Sequence, residues 1–269
     1  MLVAKTPPVL NANQRLSIIA QHDDQPPSFE STMTNPAPHS LAIESTAALE
    51  QKLHGHDLPR YIAVEGPIGV GKTTLANKLA TVFQYPILLE PAAENPFLDR
   101  YYRDGRRHAL PTQLFFLLNR AQQIENIPAN DLLGPSLIAD FLIEKDNLFA
   151  RLTLDDNEYS LYRQIHENLA INPPTPDLVI YLQAPVNVLQ SRIKDRGIAY
   201  ERDIESDYLE SLASAYTEFF HFYDAAPMLV VNAAAIDFAN NAAHFEALLD
   251  QILAMDGLRQ YFNPSPTLL

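Results

Sequence analysis

A glycine-rich segment near residue 70 has the spacing that proteins use to bind polyphosphates. Residues 66 to 73 read Gly66-Pro67-Ile68-Gly69-Val70-Gly71-Lys72-Thr73. The apolar run 61–64 precedes them, so the sequence predicts a buried strand, a phosphate-binding P-loop and then a helix. Glycines let loop N–H groups point at phosphates, and the helix beginning at Lys72 adds the positive end of its dipole. Lys72 would contact the β- and γ-phosphates and Thr73 would hold Mg²⁺, whereas the alternative is a plain strand-to-helix turn with a surface lysine.

Two carboxylates are predicted at the ends of further strands. Glu90 ends the apolar run 87–90 and Asp140 ends the run 137–140. In parallel sheets, ligands bind beyond the carboxyl ends of the strands. One carboxylate could therefore accept a proton from a substrate hydroxyl, and Asp140 could support Mg²⁺ together with Thr73. Either residue could instead be a solvated loop acid.

A basic segment later in the chain fits the remaining need of phosphoryl transfer, which is neutralisation of charge. Arg192, Arg196 and Arg202 flank Gly197 between two predicted helices. Arg192 and Arg196 are four residues apart and share one helical face. The segment predicts a basic lid over the phosphates, and its alternative is a solvated helix end.

Short apolar runs alternate with helical patterns, which is typical of a parallel sheet covered by helices. The predicted strands are 61–65, 87–90, 137–140, 178–182 and 228–232. The predicted helices are 72–83, 111–126, 156–170, 185–196, 204–223 and 241–256. This order predicts an α/β P-loop NTPase fold, in which one domain, 59–269, holds a five-stranded parallel sheet flanked by helices. Residues 1–58 are polar and rich in proline, and they predict a flexible tail that is dispensable for catalysis.

Composition limits the classes of partner. The chain has 269 residues, of which 47% are hydrophobic, so a sizeable core can be buried. The net charge of −14 argues against nucleic acid as a partner, and no apolar stretch approaches the length of a membrane span. The chain has no cysteine, which excludes disulfides and thiolate metal sites and fits a reducing compartment. We therefore expect a cytoplasmic protein.

Several blocks in order resemble the deoxyribonucleoside kinase family over residues 60 to 260. The blocks are Glu65 to Thr74, Leu89-Glu90-Pro91, Asn95-Pro96-Phe97-Leu98, Pro111-Thr112-Gln113-Leu114-Phe115-Phe116, Asp140 to Ala150, Arg192 to Glu201, and Asp237-Phe238. The resemblance implies transfer of phosphate from ATP, with Mg²⁺, to the 5′-hydroxyl of a deoxyribonucleoside. It also implies a homodimer, and the blocks look more similar to purine-directed members.

The resemblance implies roles for individual residues. Glu90 matches the glutamate that takes the proton of the 5′-hydroxyl, and Tyr102 and Glu201 match the pair that holds the 3′-hydroxyl. Lys72, Arg192 and Arg196 join Glu90 in the implied catalytic set. The implied nucleotide-binding residues are Gly66, Pro67, Ile68, Gly69, Val70, Gly71, Lys72, Thr73, Thr74, Arg192, Arg196, Asp237 and Phe238.

A predicted helix beginning at Pro111 carries the implied base-binding residues. Gln113 matches the glutamine that hydrogen-bonds the base edge, and Arg120, with Asp146 as its partner, follows on the same helix. Gln113 and Arg120 are seven residues apart and point the same way from a helix. Phe97 and Phe116 would pack on the base plane, although either could be an ordinary core residue.

The chain departs from the family pattern after the third predicted strand. The family commonly has an acid, then arginine, then serine, whereas this chain reads Asp140-Phe141-Leu142. Lys145 could take the place of that arginine, or the lid arginines could suffice.

Other functions share parts of this pattern. A nucleoside monophosphate kinase similar to thymidylate kinase would need a cationic site for the phosphate of its acceptor. A non-enzymatic P-loop nucleotide switch would leave the acceptor-side polar and aromatic residues unexplained. A kinase of another small acceptor, such as pantothenate or shikimate, is a weaker alternative. The preferred base is not fixed by the sequence.

Overall fold

The P-loop strand lies in the middle of a six-stranded parallel sheet. A computed structural model describes residues 49, 51–127 and 136–264. The strands are β1 (Tyr61–Glu65), β2 (Ile87–Leu88), β3 (Leu137–Ala139), β4 (Leu178–Gln183), β5 (Met228–Asn232) and β6 (Arg259–Phe262). They are ordered β2-β3-β1-β4-β5-β6. Because β1 pairs with both β3 and β4 in parallel, the segments that follow these three strands meet at one edge of the sheet.

Helices cover both faces of this sheet. They are α1 (Lys72–Phe83), α2 (Leu98–Asp104), α3 (Ala109–Glu125), α4 (Lys145–Thr153), α5 (Asp156–Leu169), α6 (Val186–Arg196), α7 (Ser206–Phe222) and α8 (Ala242–Leu253). Short 3-10 turns occupy Ala92–Glu94, Gly105–His108 and Ala199–Asp203. All six predicted helices are present, and the sequence analysis missed α2 and α4.

Alternate residues of β1 point into two hydrophobic clusters. Ile62 and Val64 pack in a cluster that also contains apolar residues of α1 and α8, such as Leu79 and Phe245. Tyr61 and Ala63 pack on the other face. Every residue of β1 is buried, as expected for a central parallel strand covered on both sides.

The predicted count of five strands is wrong, because β6 adds a sixth at the sheet edge. Its residues, Arg259 to Phe262, pair with β5 but are mostly half-buried, and Tyr261 is 70% exposed. An edge strand needs one pairing partner and one covered face, so it need not be an apolar run. Strand β6 was not predicted, because the strands were predicted from apolar runs in the sequence.

The predicted tail lies mostly outside the described residues. Its last part, however, contacts the domain: Leu49 is buried in the cluster of Ile62, and Leu53 packs against it. Lys52 forms ion pairs with Glu246 at 2.8 Å and with Asp250 at 2.6 Å on α8. The domain boundary at residue 58 stays a prediction. Leu49, Lys52 and Leu53 all precede that boundary and contact the domain. Within the described residues, no helix combines the length and apolarity needed to cross a membrane.

Candidate functional site

The P-loop wraps around the side chain of its own lysine. The Lys72 Nζ donates to the carbonyl oxygens of Gly66 at 2.7 Å and Pro67 at 3.4 Å. Gly66 has φ of +148°, and a Cβ there would lie 2.4 Å from the carbonyl oxygen of Leu182, so only glycine fits. Burial lowers the pKa of Lys72 and the charge of Lys145 lowers it further, while nearby carboxylates oppose the change. The loop is therefore tightly packed, and its lysine lies close to several charged groups.

A cavity of about 480 Å³ opens beside this loop. Its walls are residues 69–74, Arg192, Asp195, Arg196 and residues 236–240. Arg192 ties the P-loop to the segment that follows β5, since it donates to the carbonyl oxygens of Val70 at 2.9 Å and Ala233 at 2.7 Å. The structure thus brings the P-loop, two of the three predicted lid arginines and the Asp237-Phe238 block to one cavity, whose volume is typical of a small-molecule site, whereas Arg202 does not line it.

Thr73 and Asp140, the predicted metal ligands, are hydrogen-bonded to each other. The Thr73 hydroxyl donates to Asp140 Oδ2 at 2.6 Å, and the backbone N–H of Glu90 donates to Asp140 Oδ1 at 2.7 Å. Burial raises the pKa of Asp140, and the hydrogen bond from Thr73 opposes this rise. The described residues hold no group of three or more histidine, cysteine or acidic side chains placed so that together they could bind a metal ion. A hydroxyl and one carboxylate fit Mg²⁺ that takes its remaining ligands from phosphates and water.

Glu90 lies between two buried cations. Arg120 Nη2 contacts Glu90 Oε1, and Lys145 Nζ lies 3.4 Å from the same oxygen. Burial alone would raise the pKa of Glu90, but the charges of Arg120 and Lys145 outweigh it and lower the pKa to about 2. The Glu90 carboxyl is therefore ionised at neutral pH, and 18% of its side chain remains exposed to a ligand.

The predicted base-binding residues share one face of α3. Gln113 and Arg120 are both buried there, and the Arg120 guanidinium lies 5.2 Å from the centre of the Phe116 ring. Arg120 Nη1 pairs with Asp146 Oδ1. Among the described residues, neither Asp146 Oδ2 nor Arg120 Nε has a hydrogen-bond partner. Buried polar atoms are normally satisfied, so an unpaired acceptor and an unpaired donor on this face are unusual.

Asn95, which the sequence analysis quoted only as part of a block, fixes the loop before this helix. Its Nδ2 donates to the carbonyl oxygen of Thr112 at 3.2 Å, and its Oδ1 accepts from the N–H of Phe97 at 3.0 Å. The half-buried Phe97 is thereby tied to the first turn of α3, next to Gln113. The asparagine followed by proline was the signal for this turn.

Tyr102 and Glu201, predicted to act together, lie near one another, and Glu201 is bonded to the lid residue Arg196. Burial raises the pKa of Tyr102, and the charge of Glu201 raises it further. The Tyr102 ring stacks on Tyr200, with ring centres 6.2 Å apart. Arg196 donates to Glu201 Oε2 from Nε at 2.9 Å and from Nη2 at 2.5 Å. The lid therefore links the tyrosine side of the site to the wall of the nucleotide-sized cavity.

Two charged residues of the site were indicated only weakly by the sequence: Glu65 as the start of a block, and Lys145 as a possible replacement for the family's arginine. Glu65, at the end of β1, is fully buried, and Lys145 begins α4 with its Nζ 3.0 Å from Glu65 Oε1. The signal for Glu65 was its position at a strand end, the same signal that indicated Glu90 and Asp140. Phe141 follows Asp140, where the family commonly has arginine. The centre of its ring lies within about 6 Å of the charged groups of both Arg120 and Lys145.

Comparisons with known proteins agree with this geometry. Residues 62–255 match the family model described as deoxynucleoside kinase. The deoxyguanosine kinase of Bacillus subtilis (strain 168) is 36% identical over 193 residues, covering 70% of this chain and 93% of that protein. The deoxyadenosine/deoxycytidine kinase of the same organism is 29% identical over 210 residues, covering 74% of this chain and 95% of that protein. A structure of deoxyadenosine kinase from M. mycoides with bound dATP gives a TM-score of 0.62 at 29% identity, covering 72% of this chain and 98% of that one.

Proposed function

This chain belongs to the deoxynucleoside kinase family, and we propose that it transfers the γ-phosphoryl group of ATP to the 5′-hydroxyl of a purine deoxyribonucleoside. The observation that carries the proposal is that two charged groups lie close together near the carboxyl ends of the strands. Lys72 lies in a loop built for phosphates, and the ionised Glu90 lies among the charges that act on Lys72. One group suits the donor phosphate and the other suits a hydroxyl acceptor.

The residues divide the work of the reaction between them. The P-loop N–H groups and Lys72 bind the triphosphate, and Arg192 and Arg196 stand at the wall of the same cavity. Glu90 accepts a hydrogen bond from the 5′-hydroxyl and takes its proton as the phosphoryl group is transferred. Tyr102 and Glu201 hold the sugar, which keeps the hydroxyl in line with the γ-phosphate.

Mg²⁺ is part of the proposed reaction. Thr73 and Asp140 would hold the ion, because their hydroxyl and carboxylate already lie together beside the P-loop. A bound Mg²⁺ supplies positive charge to the phosphates. The chain itself supplies the hydroxyl-orienting carboxylate, Glu90, and the lysine of the P-loop.

The face of α3 supports a base that carries an amino group, and the preference for a purine rests on the relatives named for deoxyguanosine and deoxyadenosine. Asp146 Oδ2 is an unpaired acceptor, and Gln113 offers both a donor and an acceptor nearby on the same face as Arg120. Such a set suits a base edge with an amino group, which adenine, guanine and cytosine have and thymine lacks. The relatives named above act on deoxyguanosine, deoxyadenosine and deoxycytidine, which supports the same set of acceptors.

We further propose a cytoplasmic homodimer. Leu118 on α3 is 49% exposed and Leu161 on α5 is 47% exposed, and residues of these two helices share a small hydrophobic cluster. A second copy covering both leucines would remove apolar surface from water. Light scattering after size-exclusion chromatography measures the mass, and Leu118→Glu with Leu161→Glu should shift it toward the monomer. The cytoplasmic compartment is supported by the absence of cysteine from the chain.

The experiment that tests the function is a panel of the four deoxynucleosides with ATP and Mg²⁺. ADP formation and the nucleoside monophosphate are measured together. We expect ADP in step with monophosphate, with deoxyadenosine or deoxyguanosine preferred to thymidine. ADP formation that ignores the nucleoside would support a nucleotide switch instead. Phosphorylation of monophosphates alone would support a nucleoside monophosphate kinase.

A further inference from the structure

Lys145 is a buried lysine placed between two carboxylates at the edge of the sheet. It is 1% exposed and is the first residue of α4. Its Nζ lies 3.0 Å from Glu65 Oε1 and 3.4 Å from Glu90 Oε1. A buried ammonium group is costly unless it is paired, so its position requires an explanation beyond packing.

Glu65 fixes Lys145 from behind, because the carboxylate of Glu65 is itself held by three other donors. Its Oε2 accepts from the N–H of Gly66 at 2.9 Å and from the Tyr216 hydroxyl at 3.0 Å. Its Oε1 accepts from the N–H of Leu142 at 2.9 Å. Glu65 is therefore locked to the P-loop, to the segment after β3 and to α7, and Lys145 is anchored to a rigid group.

On its other side, Lys145 acts on Glu90 together with Arg120. Both cations contact Oε1 of Glu90, and no residue that the structure describes donates a hydrogen bond to Oε2. One carboxylate oxygen is thus held by two positive charges, and the other remains available to a substrate hydroxyl. The geometry fixes the direction in which the carboxylate points.

We propose that Lys145 is a positioning residue for phosphoryl transfer, which holds Glu90 in its working orientation by linking it to the Glu65 anchor. This inference rests on the function proposed above. Lys145 acts through Glu90 and is not required to touch the substrate. Three alternating charges, Glu65, Lys145 and Glu90, therefore connect the rigid P-loop strand to the acceptor side of the site.

The first test is the Lys145→Met variant of the full chain. We expect kcat to fall about 100-fold, as for loss of a preorganised charge, while KM for ATP and for the nucleoside changes less than about fivefold. The matched control is Lys52→Met, which removes another lysine that bridges two carboxylates, and its kcat should stay at the wild-type value.

A rescue experiment uses the absence of cysteine from the chain. In Lys145→Cys, alkylation with 2-bromoethylamine under denaturing conditions modifies one thiol, and refolding then restores an ammonium group of nearly the length of lysine. The wild type, treated in the same way, controls for the refolding. We expect kcat to return to within about tenfold of wild type, because a positioning role needs only the charge at that place.

A double variant separates positioning from stability, because Lys145→Met leaves Glu65 as a buried carboxylate without its cation. The variant Glu65→Gln/Lys145→Met removes both charges of that pair, so its melting temperature should recover toward the wild type. We expect kcat to remain low in this variant. Recovery of kcat along with stability would overturn the proposal, as would a Lys145→Met enzyme within about threefold of wild-type kcat. A wild-type enzyme without nucleoside-dependent activity would instead overturn the proposed function.

Discussion

Replacing Glu90 by glutamine tests the centre of the proposed chemistry. Glutamine keeps the shape and one hydrogen-bonding oxygen but cannot take a proton. It also removes the negative charge that contacts Arg120 and Lys145. The substitution should therefore lower kcat, while the contacts of Tyr102 and Gln113 with the nucleoside should persist.

The structure sets the expected size of this loss. The two cations lower the pKa of Glu90 from 4.5 to about 2, which makes it a base roughly 300-fold weaker than a free glutamate. A weak base contributes less to proton transfer, so we expect a loss in the lower part of the usual range for general bases, about 10²- to 10³-fold. This corresponds to about 3 to 4 kcal/mol of activation free energy.

The assay is steady-state kinetics of wild type and Glu90→Gln with deoxyadenosine and ATP between pH 5 and pH 9. KM for the nucleoside should change little, and Glu90 should produce no acid limb in this range for the wild type. A kcat near wild type would refute the reasoning, leaving Glu90 as a positioning group and Asp140 as the next candidate base.

Glu90 also predicts how stability depends on pH. Its pKa in the folded protein lies below 4.5, so its ionised form stabilises the fold above about pH 4.5, and this contribution is lost as the pH falls toward 2. At neutral pH, Glu90→Gln should lower the free energy of unfolding by at most about 3 kcal/mol. Denaturant titrations of both proteins should show this difference shrinking below pH 4. A constant difference would show that the lost stability comes from packing and not from charge.

Three further predictions concern the P-loop and the segment before β1. Lys72→Ala should abolish phosphoryl transfer while the protein stays folded, and wild-type turnover would contradict the P-loop assignment. Gly66→Ala should weaken ATP binding and destabilise the protein, because its Cβ would lie 2.4 Å from a backbone oxygen. Gly257→Ala, also at a positive φ but with nothing within 4 Å of its Cβ, controls for backbone strain and should cost less stability. Deleting residues 1–48 should leave kcat within about twofold of the full chain. Deleting residues 1–57 also removes the buried Leu49 and should lower the free energy of unfolding by about 1.5 to 3 kcal/mol. Equal melting temperatures of the two truncated proteins would refute this contrast.

Much of the fold followed from local patterns. The strand Tyr61–Glu65 and the helix Lys72–Phe83 have the predicted bounds, because the P-loop spacing fixes where one ends and the other begins. The helix Lys145–Thr153 was missed because two of its buried positions, Lys145 and Asp146, are charged. Apolar periodicity cannot reveal a helix whose buried face is held by ion pairs.

The site was predictable where one strand end or one helix face supplied the residues. Gln113 and Arg120 share a buried face of α3, as their spacing predicted. The contact of Glu65 with Lys145 joins positions 80 residues apart, and it arises because β1 and β3 are neighbours in the sheet. Strand order is a property of the assembled sheet, so no local pattern could have specified this pair.

The most direct measurement of the central claim is the transfer of label from [γ-³²P]ATP to deoxyadenosine and to 2′,5′-dideoxyadenosine, which lacks only the 5′-hydroxyl. We expect labelled 5′-monophosphate from deoxyadenosine and no labelled nucleotide from the 5′-deoxy compound. Label in both products, or in neither while ADP still forms, would contradict transfer to the 5′-hydroxyl.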